Sequence, residues 1–122
     1  MAFISDTALD AALAKIKTAT RLDICSAEPT TYADATGTDS LGNKTGIAIG
    51  NPADRAPDGR KVTVAAIADG AVTATGEAAF WAISDVANSI LLATGSISDP
   101  QEVTNGNVFT LAAFDVGIPD AA

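Results

Sequence analysis

Histidine is missing from the 122 residues altogether, which removes the commonest general base, the commonest metal-ligating side chain and every Ser-His or Cys-His nucleophile pair. Cysteine occurs once, as Cys25. No internal disulfide can form, which agrees with a reducing compartment and equally with a secreted chain that has no bridges. Basic residues are also few: seven stand against fifteen acids, for a net charge of −8. That sign repels phosphate backbones and anionic lipid surfaces, so neither nucleic acid nor a membrane is expected as a partner. Aromatics make up only 5% of the chain and alanine dominates the 48% of hydrophobic types. The core should therefore be built from small and β-branched side chains. No apolar run approaches the length of a signal sequence or a membrane span, and the start Met1-Ala2-Phe3-Ile4-Ser5-Asp6 carries no basic region. The expectation is a protein that stays where it is made. The length suits one domain, residues 1–122.

Within that domain one segment has helical spacing. From about Asp6 to Thr18, Leu9, Ala12, Leu13 and Ile16 recur on one face while Asp10, Lys15 and Lys17 fall elsewhere on the wheel. Thr7 and Asp10 resemble a capping box, and the acids precede the lysines in the order the helix dipole favours. Arg21-Leu22-Asp23-Ile24-Cys25 then alternates as a half-buried strand does, with Leu22 and Ile24 pointing one way.

The texture changes from about residue 26 to 59, where Thr, Asp, Gly, Asn and Pro prevail and the only apolar interruptions are Tyr32, Leu41 and Ile47-Ala48-Ile49. Two extended loops around a short strand at 47–49 are expected. Loops of that length are usually functional or disordered. Residues 60–118 instead read as hairpins. Segments 61–67 and 71–75 flank Asp69-Gly70, a dipeptide suited to a primed turn that would set Ile67 opposite Val72. Segments 79–83 and 90–94 form a second pair of strands, both expected to be central, joined by a link at 84–89. A third pair surrounds Asn105-Gly106, and Phe114-Asp115-Val116-Gly117-Ile118 forms a last strand before Pro119. Short strands at this spacing predict a mainly β fold, an antiparallel β-sandwich or barrel with one N-terminal helix and long loops.

No reactive constellation emerges. Cys25 has Asp23 and Glu28 near it in sequence, which would raise its pKa, so a packed thiol is expected rather than a nucleophile. The acids Asp34, Asp39, Asp54, Asp58, Asp69, Asp85, Asp99 and Asp120 lie in turns or loops, where solubility and turn formation account for them. The oxygen-rich stretches 34–39 and 51–58 lack the EF-hand spacing. Gly37 to Thr45 looks like a phosphate loop until Asn43 separates the last glycine from Lys44, and a strand-like segment follows. No catalytic, cofactor-binding or metal residue is assigned, and the chain is not expected to be an enzyme. For contact with other proteins the long loops offer Tyr32, Leu41, Ile47 and Ile49.

Three pieces in order, residues 76–85 centred on Phe80-Trp81, residues 90–97 with Leu91-Leu92 and Gly95, and residues 103–111 around Asn105-Gly106, resemble a pattern in small virion proteins of tailed bacteriophages. The likeness extends over about residues 58–118, half of the chain, because Asp58-Gly59-Arg60 and Asp69-Gly70 also fit. Proteins of this kind are labelled head decoration or tail-fibre proteins. The resemblance implies a virion structural protein made in the host bacterial cytoplasm, needing no cofactor. The leading expectation is a capsid decoration (cement) protein bound to the major capsid protein or other virion proteins, as a homo-oligomer and by symmetry a homotrimer. The alternatives are a tail, baseplate or fibre subunit, and a carbohydrate- or ion-binding β-sandwich module.

Overall fold

In a computed structural model that describes residues 4–119, the chain is mainly β, with one amino-terminal helix, α1 (Asp6–Ile16). Residues 1–3 and Asp120, one of the acids expected in a turn, lie outside the described residues. Ser5, not Thr7, caps the helix: its hydroxyl accepts the Ala8 amide at 3.3 Å. Leu9 and Leu13 are the buried helical positions, Ile16 packs against the core, and Ala12 of the expected stripe is exposed.

Nine strands follow: β1 (Arg21–Cys25), β2 (Ser40–Thr45), β3 (Ala53–Asp54), β4 (Arg60–Val64), β5 (Ile67–Val72), β6 (Gly76–Asp85), β7 (Ile90–Val103), β8 (Val108–Leu111) and β9 (Phe114–Ile118). Six of them form a curled antiparallel half-barrel in the order β7-β6-β1-β2-β5-β8, and three form a small sheet in the order β3-β4-β9. The predicted fold class holds. Leu22, Ile24, Val64, Ile83 and Phe109 meet inside the curl, and all are at most 1% exposed. Full burial of such side chains contributes about 1.5–3 kcal/mol each.

Three sequence expectations change. The strands of the 26–59 region are β2 and the two-residue β3, not 47–49; Ile49 makes a single bridge to Val64. β2 has one large apolar residue, Leu41, and is admitted to the sheet centre because Gly42 lies hard against β5. A Cβ there would run into the Ala71 carbonyl oxygen. Asp69-Gly70 is not a turn: it lies inside β5, Gly70 is not among the positive-φ glycines, and Ile67 pairs with Leu111 while Val72 pairs with Gly42. The chain instead crosses from the small sheet to the large one at Ala65 and Ala66. Gly70 stands opposite Phe109, whose ring fills the space a side chain would take.

The third change concerns β7 and the Asn105-Gly106 turn. β7 pairs with β6 as predicted, but it is an edge strand. The turn forms, with Gly106 at φ +91° and Asn107 N–H donating to Thr104 O at 3.0 Å. Its flanking strands nevertheless do not pair with each other. The turn docks on β5, where Gly106 N–H donates to Val72 O at 3.0 Å, and β8 continues along that strand. β7 and β8 are thus the two ends of the curled sheet, joined in sequence but not paired as strands.

Candidate contact surface

Beneath the loop at residues 26–39, the outward face of β1 carries a closed polar cluster. The wide helical turn Asp34–Thr38 lies over it, which is why all of β1 after Arg21 is buried and not only one face. Asp23, 0% exposed, accepts from Arg21 Nε at 2.8 Å, from the second Arg21 nitrogen at 2.9 Å and from Ser40 Oγ at 2.7 Å. Hydrogen bonding to Asp23 holds the Arg21 guanidinium above its ordinary pKa. A buried carboxylate with both oxygens engaged is stable where it is, and losing one partner would be costly. Cys25, also 0% exposed, lies 3.8 Å from the Ala35 carbonyl oxygen. Burial, with the negative charges of Asp23 and then Asp39, pushes its thiol up to about 12. The second acid is Asp39, not Glu28. At neutral pH this sulfur is a protonated packing group.

A second cross-link joins the helix to the small sheet. Arg60 reaches Asp10 at 2.8 Å and Asp54 at 2.6 Å, and these hydrogen bonds raise its pKa. Lys61 and Thr63 both donate to Asp115, at 3.0 and 2.6 Å, and lower its pKa. Of the basic residues, all but Lys17 take part in such ion pairs within the described residues. Among those residues no three acidic or sulfur side chains converge in a way that could hold a metal ion, and no helix is long and apolar enough to cross a membrane.

Two openings lie close together among the described residues, one of about 400 Å³ beside Arg55, Lys61 and Asp115 and a wider one at the seam of the half-barrel. A groove of about 630 Å³ runs between β7 on one side and the β8–β9 link on the other, with Trp81 and Phe114 at its base. Their ring centroids are 4.5 Å apart at 36°. Gly95 lies directly across from Trp81, and a Cβ there would come within 2.5 Å of the indole. Gln101 spans the seam at one end by donating to the Thr110 carbonyl oxygen at 2.9 Å. β7 bends out of the sheet beside the groove. Ala78 faces Gln101 and Phe80 faces Ser96, so Ile97, Ser98, Asp99 and Pro100 stand against Ala79 alone.

The contact residues expected from sequence do not gather here. Leu41 is 7% exposed and packs in the core, where a Cβ on Gly76 would come within 3.1 Å of its side chain, so it has little surface to offer. Ile47 and Ile49 are half-buried and close the core from outside. Tyr32 is half-buried in the covering loop, and its carbonyl accepts the Thr36 hydroxyl at 2.8 Å. Leu41, Ile47 and Ile49 thus pin the long polar region to the core. The groove residues went unread because their grouping depends on which strands end the sheet. The signals in the sequence were the single Trp81 and a proline, Pro100, inside a strand-like run. Compared with protein-family models, with curated proteins and with solved structures, the chain matches none.

Proposed function

We propose that this chain works as a structural subunit of a larger assembly and carries out no reaction. More narrowly, we read it as a capsid decoration protein of a tailed bacteriophage, held on the major capsid protein, with a homotrimer as its oligomeric form. The observation that carries the first step is where its reactive groups go. The thiol is sealed in the β1 cluster, and the cations other than Lys17 are tied to carboxylates of the same chain. What remains outward is shape, sheet edge and negative charge, the means of a contact protein. The second step rests on the virion-protein pattern of residues 58–118.

Quantitative mass spectrometry of purified particles tests both steps. A decoration protein is present at the copy number of the capsid subunit or a simple fraction of it. The same pattern also allows a tail, baseplate or fibre subunit, for which only a few copies per particle are expected. Particles that lack the chain entirely would remove both placements.

A further inference from the structure

The seam is the place where this fold leaves backbone and charge unmatched together. β7 and β8 end the six-stranded order and β9 ends the three-stranded one, so each has a side without a neighbouring strand. β7 and the link between β8 and β9 border the same groove. An exposed edge is a template on which an extended chain adds as a further strand.

Asp115 in the lining is matched by Lys61, and the charge left unmatched beside the groove is negative. Asp99 lines the groove, and further along β7 Glu102 stands directly opposite Glu77 of β6, both exposed. Like charges facing each other across a strand pair destabilise it. No basic residue of the described chain relieves them: the ion-paired cations are engaged elsewhere, and Lys17 lies at the end of α1. A second copy would bring another net charge of −8 and the same engaged cations. Nucleic acid and anionic lipid carry the wrong sign.

We propose that the seam is a docking groove for an extended, basic segment of a partner protein. Alternate apolar side chains of that segment rest on the Trp81–Phe114 base. Its lysines or arginines answer Asp99 and the Glu77–Glu102 pair, and its backbone meets the free edges. This contact differs from the loop surface expected from sequence, and it stands apart from the particle assignment, since it concerns the groove's chemistry whatever the assembly.

Trp81 is the chain's one tryptophan and is 9% exposed, so its emission reports on the groove. The full chain is titrated with a synthetic peptide of about eight residues alternating lysine with valine or leucine, with the same peptide carrying glutamate for lysine, and with maltohexaose. The lysine peptide is expected to change the Trp81 emission saturably and to slow amide exchange along β7. The glutamate peptide and the sugar should do neither. The double variant Asp99→Lys, Glu102→Lys alters only exposed side chains and should weaken binding roughly tenfold or more at low salt. Silence with the lysine peptide at millimolar concentration, equal binding by the glutamate peptide, or undiminished binding by a folded double variant would overturn the proposal. A response to maltohexaose alone would also overturn it and assign the groove to sugar.

Discussion

Replacing Gly70 by alanine separates two accounts of the Asp69-Gly70 dipeptide. In a primed turn the cost of Gly70→Ala would come from backbone conformation and would not depend on Phe109. In β5 the new methyl meets the Phe109 ring, which is 1% exposed and cannot retreat into solvent. Forcing such a group into a packed core costs about 1–3 kcal/mol. On a chain of this size each kcal/mol corresponds to roughly 3–6 °C in melting temperature. Phe109→Leu removes the obstructing ring, at less than the ~3–5 kcal/mol of a full Phe→Ala truncation. In that background Gly70→Ala should be neutral, or stabilising by up to about 1 kcal/mol through the lost freedom of the unfolded chain. Urea denaturation of the four proteins, followed by Trp81 emission and far-ultraviolet circular dichroism, gives the coupling energy directly. About 1 kcal/mol or more of rescue is expected, with unchanged denaturant slopes. Additivity within about 0.5 kcal/mol would refute the Gly70–Phe109 pairing and restore the turn.

Three further outcomes follow from the geometry. Because burial raises the Cys25 pKa from 9.0 to about 12, the folded state keeps a proton that the unfolded chain releases. Its contribution is therefore complete below pH 9.0 and is lost as pH rises toward 12, at up to about 1.4 kcal/mol per pH unit; Cys25→Ala should flatten the alkaline limb of a stability–pH curve, and thiol reagents should label native protein only at its opening rate. Asp85 is held below the ordinary carboxylate range, first by the Asn88 side chain. Its contribution is present above that range and disappears as pH falls through it to the depressed value, so in Asn88→Ala the Asp85 carboxyl should titrate higher by NMR and stability at mildly acidic pH should fall. Arg60→Ala severs the tie from α1 and β3 to β4, and faster amide exchange in α1 than in β6 is the expected signature; uniform protection of both would argue against that tie.

The elements that were legible in the sequence are those whose signal is local. Helix α1 announced itself by apolar spacing, β1 by alternation, and the β6–β7 hairpin by two apolar runs around a polar link. The residues that misled are those whose role depends on distant neighbours. Asp69-Gly70 has turn chemistry, yet Gly70 serves a ring thirty-nine residues away in sequence, as close packing against Phe109 requires. Ser40–Thr45 lacks the composition of a strand and becomes one because Gly42 permits close approach to β5 while β1 pairs along its other side. Tyr32, Leu41, Ile47 and Ile49 interrupt a polar stretch, a pattern that suggests contact residues; Leu41 is core, and the two isoleucines pack against that core.

Composition alone determined which pairings are out of reach: without an imidazole no Ser-His or Cys-His pair can be assembled, and an excess of carboxylates sets the sign of the net charge. Alternation and turn residues determined that the chain would be β-rich behind a single helix. Only the tertiary structure decided which strands end the sheet. Pairing partners are chosen by side-chain fit across long separations, such as Arg60 with Asp10 and Val64 with Phe114. A free edge and the groove beside it exist only once those choices have been made.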